Sequence, residues 1–280
     1  MCRKQLPSFP MAGLVLALGV AACGSGSGGA SGDGPEGEGA APGFEFVQLS
    51  DVHVGRSPPQ EQENLRRAVD QVNAMLPAFV LLTGDLTNNG GLEEYAVLKD
   101  ILSELTVPYY CVPGDNDIVD GEGDVGRYRE QLGAECYSFT YRGYRIIGVD
   151  NNAEIALDQG QREWFERELQ IGGAEIVFAH KALLDGSAGF EALPTAGPLL
   201  ELLDAYGVVA FLSGHEHESA EVRWGDTQHV WCDNLSFFHT GIETYNLFQV
   251  DAGEVRLSHV HWDGSRELVV SFPAGGDSRP

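Results

Sequence analysis

Short apolar runs alternate with stretches of helical periodicity along the chain as far as His217. Phe44 to Leu49, Phe79 to Leu82, Tyr109 to Val112, Ile176 to Ala179 and Val208 to Leu212 have strand length and are nearly continuous in apolar residues. They read as strands. Between them, Leu65, Val69, Val72 and Met75 recur at helical spacing from about Gln60 to Met75, and Tyr95, Leu98, Ile101, Leu102 and Leu105 do so from Leu92 to Leu105. Further helices are predicted from Gln159 to Leu169 and from Gly197 to Tyr206. Strands alternating with helices predict an α/β fold with parallel pairing. After His217 the pattern turns to strands with little helix: Ala220 to Trp224, Gln228 to Asp233, Tyr245 to Val250, Val255 to Trp262 and Leu268 to Phe272. No internal repeat interrupts this order.

The first 43 residues break the pattern. Arg3 and Lys4 precede an apolar stretch from Met11 to Ala22, too short for a span of about 20 residues and laid out like a secretory signal. It ends in Val20-Ala21-Ala22-Cys23, which resembles the lipobox of bacterial lipoproteins. Residues 1–22 are therefore expected to be a lipoprotein signal peptide, with Cys23 lipidated after cleavage and anchored to a membrane through several acyl chains. From Gly24 to Gly43, Gly, Ser, Ala and acidic residues dominate without apolar periodicity, so residues 23–43 read as a flexible tether. Gly24 is not the aspartate that marks inner-membrane retention, which favours the outer membrane if the cell is Gram-negative. The folded domain is expected at 44–272, with 273–280 as a tail.

Charge narrows the partners. The chain holds 17 basic and 42 acidic residues, a net charge of −25; loss of Arg3 and Lys4 with the signal leaves −27. Nucleic acids and anionic lipid surfaces select basic patches, so no nucleic-acid partner is expected and nuclease activity is disfavoured.

The chemistry sits directly after the strand-like runs. Asp51-Val52-His53, Gly84-Asp85, Gly114-Asp115-Asn116-Asp117, His180 and Gly214-His215-Glu216-His217 each follow one run. Residues past the carboxyl ends of parallel strands converge on one crevice. Four of the chain's eight histidines occupy these positions, which favours a metal role over the structural role of a lone histidine. The set comprises three carboxylates, four imidazoles and an amide, with no thiol. Hard oxygen and borderline nitrogen donors suit Mn, Fe or Zn rather than a thiolate zinc site or a calcium cage. These are too many ligands for one ion. Two divalent ions sharing a carboxylate would use them, and a metal pair roughly 3.5 to 4 Å apart stabilises the attacking and leaving oxygens of a displacement at phosphorus.

From about Phe44 to Asp251 the chain resembles the calcineurin-like metallophosphoesterases. The likeness extends to Thr83-Gly84-Asp85-Leu86-Thr87, Val107-Pro108 ahead of Cys111-Val112-Pro113-Gly114, Cys136-Tyr137-Ser138-Phe139 leading to Gly148-Val149-Asp150, and Leu212-Ser213-Gly214-His215. The resemblance implies a four-layered α/β/β/α sandwich in which the tail after His217 builds much of the second sheet. It also implies that Asp51, His53 and His217 hold one metal, that His180, His215 and the residue at 115 hold the other, and that Asp85 bridges them. A hydroxide generated on the metals would attack the phosphorus of a small phosphoester substrate.

One motif departs from that family. Its pattern is Gly-Asn-His followed by Asp or Glu, whereas here Asp115 replaces the amide ligand and Asn116 the histidine that faces substrate. A third anionic ligand lowers the formal charge of a dimetal(II) core from about +2 to about +1 and weakens its attraction for phosphate. Asn116 can donate a hydrogen bond to a phosphoryl oxygen but cannot deliver a proton, a contribution worth about 10² to 10⁴-fold where present. Diesters and activated monoesters are therefore expected over alkyl monoesters. The rival class is a noncatalytic lipoprotein that keeps the cradle to bind metal or a phosphate ligand.

Other residues carry plainer readings. His259 and His261 share one face of a strand and read as a packed or solvent-facing pair rather than a further metal site; His229 and His239 read as structural. Asp120, Glu122 and Asp124 miss the EF-hand spacing because Val119 and Val125 occupy positions that it assigns to other residue types. Asp150, Asn151 and Asn152 read as a loop cap beside the active edge, and Asp117 as a turn residue or support for a ligand. Cys2 and Cys23 lie in the leader, so Cys111, Cys136 and Cys232 allow at most one disulfide, with Cys111–Cys136 one option and buried thiols the other.

Overall fold

The computed structural model describes residues 43–56, 60–118, 125–152, 155–236, 244–251 and 253–275. The expected signal and tether as far as residue 42, with Cys23, the acidic run of Asp120, Glu122 and Asp124, His239 and residues 276–280 lie outside the described residues.

Three strands with helical crossovers open the fold: β1 (Phe44–Leu49), α1 (Gln60–Met75), β2 (Phe79–Leu82), α2 (Leu92–Leu102) and β3 (Tyr109–Cys111). β1, β2 and β3 pair in parallel. Next come α3 (Gly126–Leu132), the hairpin β4 (Tyr137–Tyr141) and β5 (Tyr144–Gly148), α4 (Gln159–Gln170) and β6 (Ala174–Phe178). A small hairpin of β7 (Leu184–Asp185) and β8 (Glu191–Ala192) leads to α5 (Gly197–Ala205) and β9 (Ala210–Ser213). Five strands close the chain: β10 (Ala220–Trp224), β11 (Thr227–Trp231), β12 (Thr244–Asp251), β13 (Glu254–His261) and β14 (Arg266–Pro273).

Two six-stranded sheets face each other, ordered β14-β13-β12-β1-β2-β3 and β10-β11-β9-β6-β5-β4. The tail therefore divides. β12 pairs antiparallel with β1 and draws β13 and β14 into the first sheet, while only β10 and β11 join the second. The tail thus supplies two of the six strands of the second sheet, a smaller share than expected, and the other four are β4, β5, β6 and β9. The motifs are divided as well and follow strands of two sheets rather than one.

The alternation of β1 and β2 explains the layering. Val47, Leu49, Val80 and Leu82 face outward onto Leu65, Val69, Val72 and Leu98 of α1 and α2. Phe44, Phe46, Phe79 and Leu81 face inward, where Ile176, Phe178, Leu212 and Phe248 complete the core between the sheets. Ile147, Val177 and Phe211 face the other way, under Phe165 of α4 and Leu203 of α5. Helices thus cover both outer faces, which gives the α/β/β/α order. Asp158 caps α4 by accepting from the Gln161 N–H at 2.8 Å, satisfying one of the donors that a helix start leaves open. α2 ends three residues short of the predicted Leu105.

One inward position of β1 is polar. Gln48 is fully buried, its amide nitrogen donates to Ser213 O at 2.9 Å, and its amide oxygen accepts from Asn246 Nδ2 at 3.1 Å. It ties the end of β1 to the end of β9 directly below the motif loops. Cys111 and Cys232 are free, buried thiols, so the Cys111–Cys136 option is not formed; Cys136 is itself disulfide-bonded, which corrects the buried-thiol expectation for that residue.

Candidate metal centre

The five motifs meet at one edge of the sandwich. Asp51 and His53 follow β1, Asp85 follows β2, and Asp115 opens a single 3₁₀ turn after β3. His180 follows β6, and His215 and His217 follow β9. Carboxylate oxygens and imidazole nitrogens of Asp51, His53, Asp85 and His217 lie within 4.8 Å of one another, and those of Asp85, Asp115, His180 and His215 do likewise. Asp85 belongs to both groups. Its Oδ2 is 3.6 Å from His53 Nε2, and its Oδ1 is 3.3 Å from His180 Nε2.

The backbone carrying these groups is unusual. Asp51, His53, Asp85, His215 and His217 all have left-handed φ, between 50° and 72°. Such conformations cost non-glycine residues roughly 1 to 3 kcal/mol each and persist where the surroundings enforce them. Here Asp51 N–H donates to Gly84 O at 3.1 Å, His53 N–H to Asp85 O at 2.8 Å, and Gly214 N–H to His180 O at 2.9 Å. The loops strap one another.

Side chains around the ligands orient them. Asp51 Oδ2 accepts from Ser50 Oγ at 2.5 Å and from the His215 N–H at 3.0 Å, which leaves Oδ1 facing His217 Nε2 at 3.3 Å. That oxygen is buried and accepts no hydrogen bond. His180 Nδ1 lies 2.9 Å from Thr83 O, and because a carbonyl only accepts, Nδ1 holds the hydrogen and Nε2 faces Asp115 Oδ1 at 3.0 Å. This is the tautomer required of a ligand. Asp117, fully buried, accepts from the N–H groups of Gly114, Leu86 and Thr87 and from Thr87 Oγ1 at 2.8 to 3.1 Å, locking the Asp85 and Asp115 loops together. Asn151 exchanges two hydrogen bonds with the Lys181 backbone, and Asn152 Nδ2 donates to Pro113 O at 2.8 Å. The Asp150-Asn151-Asn152 run thus braces the His180 and Asp115 loops.

Charge and geometry fit a pair of cations. Burial opposes ionisation of Asp51 and Asp115, yet neighbouring imidazoles more than offset it and hold both below the usual carboxylate range. Burial opposes protonation of His180 and His217 as well, and the facing carboxylates still raise both. At His53 burial prevails over Asp85 and Asp51 and pushes the imidazole down. Imidazole nitrogens meet face to face, His53 Nε2 at 3.3 Å from His217 Nε2 and His215 Nδ1 at 3.2 Å from His180 Nε2. Together with the orphaned Asp51 oxygen, these donors converge as ligands do around ions.

Asn116 lines the cavity over the centre and also bonds the shared carboxylate. Its N–H donates to Asp85 Oδ1 at 2.9 Å and its Nδ2 to Asp85 Oδ2 at 2.7 Å, a two-point clamp on the shared carboxylate. A cavity of about 440 Å³ opens over the centre, lined by His53, Arg56, Asp85, Asn88, Asn116, His215 and His217. Sequence reasoning passed over Arg56 and Asn88, and also Gln48, Ser50 and Thr83. The signal available for Gln48 was one polar residue at an inward position of an apolar strand; Ser50 adjoins a motif aspartate. His259 and His261 instead face acids, Glu221 at 3.2 Å and Glu267 at 3.6 Å, and belong to no metal-type cluster among the described residues.

The profile of the calcineurin-like phosphoesterases matches residues 44–219, and the chain belongs to that family. It is a phosphoric ester hydrolase by that membership. Among its relatives is a probable cyclic nucleotide phosphodiesterase of Vesicomyosocius okutanii, 23% identical over 235 residues, covering 77% of this chain and 97% of the relative. Another is a probable glycerophosphodiester phosphodiesterase of Arcobacter nitrofigilis, 26% identical over 205 residues, covering 64% and 73%. A dimetal phosphatase from Danio rerio shares the fold at a TM-score of 0.65 and 12% identity, over 84% of this chain and 99% of its own.

Proposed function

We propose that the chain is an exported, lipid-anchored phosphodiesterase using two divalent ions drawn from Mn, Fe and Zn. The observation that carries this reading is Asp85, shared between two four-residue groups of oxygen and nitrogen donors. Asp51, His53 and His217 would hold one ion with Asp85, and Asp115, His180 and His215 the other. Bound there, the ions supply an activated water and charge stabilisation at phosphorus. The chain's own residues orient the ligands through Ser50, Thr83 and Asn116, and fix Asp85 between the two groups.

A preference for good leaving groups, in diesters or activated monoesters, follows from the proton inventory. Asn116 cannot protonate a leaving group, and its amide is engaged by Asp85. Substrates with good leaving groups are least affected by the loss of an acid. The names of the two relatives, both phosphodiesterases, support the same class. The net charge of −25 supports small phosphoesters over nucleic acids as substrates, and Val20-Ala21-Ala22-Cys23 supports a lipid anchor at Cys23.

The test is hydrolysis of bis-(p-nitrophenyl) phosphate and p-nitrophenyl phosphate by Mn(II)-loaded protein, beside Asp85→Ala. The diester should be favoured and the variant inactive. Two bound metals without turnover on either ester would instead support the noncatalytic binding lipoprotein. Labelling with radioactive palmitate should mark the wild type and not Cys23→Ser; equal labelling would refute the anchor.

A further inference from the structure

Arg56 stands apart from the ligands in the cavity wall. It is half-buried and is the one arginine or lysine among the described residues lining the cavity, in a chain where acidic residues outnumber basic ones 42 to 17. Its backbone is fixed. Arg56 N–H donates to His53 O at 3.2 Å, and Gly55 N–H donates to the Glu61 carboxylate at 3.3 Å. Val54 bridges to Thr87, and Asn88 N–H donates to Val54 O at 2.9 Å. Arg56 and Asn88 therefore sit on the same strapped loops that present His53 and Asp85.

Arg56 shares the cavity wall with His53 and Asp85, which puts its charge at the centre's rim. Burial lowers the Arg56 guanidinium, and the Glu61 carboxylate, buried on the first turn of α1, partly opposes it. The extra carboxylate of Asp115 lowers the attraction of a dimetal core for phosphate, and one fixed cation in the wall returns about that charge.

We infer that Arg56 recognises the substrate anion, its guanidinium donating to a non-bridging oxygen of a phosphodiester monoanion while the Asn88 amide donates beside it. The inference rests on the hydrolase reading above. A guanidinium presents parallel donors that match phosphoryl oxygens, whereas an ammonium of equal charge offers a point contact. The bland alternative is an arginine that only neutralises Glu61.

The experiment compares wild type, Arg56→Lys and Arg56→Ala after Mn(II) loading. Metal content and thermal melting are measured first, then inorganic phosphate binding by calorimetry, then kcat and KM on bis-(p-nitrophenyl) phosphate. All three proteins should carry two metals and melt alike. Phosphate affinity should fall about 10- to 100-fold in Arg56→Ala, the range for a lost hydrogen bond to a charged group, and by less in Arg56→Lys. KM for the diester should rise in the same order. Unchanged phosphate affinity and KM in Arg56→Ala would overturn the inference, as would a wild type that binds no phosphate. Arg56-dependent phosphate binding without wild-type turnover would retain Arg56 and retire the hydrolase reading. Should Arg56→Ala melt early, Arg56→Lys decides: the inference requires weaker phosphate binding in a protein of native melting temperature.

Discussion

Gly214→Ala tests the centre at its tightest point. Gly214 lies where β9 hands over to His215, and a methyl there would overlap both Ser50 Oγ and Asp51 Oδ2. Clearing both to a normal separation requires shifts of roughly 1 Å, enough in an active site to cost about 10²-fold in rate. The same shift breaks the Ser50 and His215 N–H bonds to Asp51 Oδ2. Hydrogen bonds to charged groups contribute about 1.5 to 3 kcal/mol each, so roughly 3 to 6 kcal/mol of positioning is at stake. Glycine is required here for space and not for a left-handed backbone. Metal content after gel filtration should fall from two toward one per chain, and diester turnover should fall at least about 100-fold. Gly197→Ala is the control, because a methyl there meets nothing within 4 Å. A Gly214→Ala protein holding two metals with turnover within about twofold of wild type would refute the packing argument.

Three further changes probe other features. Asp115→Asn restores an amide at a ligand position and removes one negative charge; at roughly 5 Å and an effective dielectric of about 20 to 40, phosphate attraction should strengthen by about 1 to 3 kcal/mol, read as tighter phosphate inhibition. Unchanged inhibition with both metals retained would count against the charge argument. Asn116→His should raise turnover on alkyl monoesters by restoring a proton donor, although it removes the amide bond to Asp85; no change or a loss would refute the leaving-group reading. His229 is buried with neither ring nitrogen hydrogen-bonded, and burial pushes it down to about 4. The unfolded chain, with a histidine near 6.5, binds the proton first, so this contribution to stability is intact above about pH 6.5 and about 2 kcal/mol of it is gone by pH 5. Urea unfolding should show His229→Phe losing less stability than wild type between pH 8 and pH 5; parallel losses would exclude His229 as the cause.

Much of this arrangement is legible in the chain because burial on both faces makes strands apolar and the ligands follow strand ends. Phe79-Val80-Leu81-Leu82 announces β2, and Gly84-Asp85 announces what β2 delivers. The partition of the tail between sheets was not legible. β11 and β12 have similar local patterns, and only pairing across the sandwich, β11 with β9 and β12 with β1, separates them. Pairing is a property of the assembled core, not of the segment. Asn116 shows the same limit at the site: its residue type ruled out acid chemistry, but its engagement by Asp85 depends on how the 3₁₀ turn after β3 settles against the loop after β2.

The left-handed residues link the two levels. A ligand on such a turn must combine a functional side chain with a backbone angle that glycine adopts more easily, so five Asp and His residues carry strain that a local propensity scale reads only as disfavoured. The strain is held by bonds between loops as well as within them, since Asp51 and His53 donate to the Asp85 loop and Gly214 to His180. Each loop is therefore a support for another loop's ligand. Loosening one strap should cost metal affinity at residues it never touches, which is why the buried braces at Gln48, Asp117 and Asn151 belong to the chemistry as much as to the core.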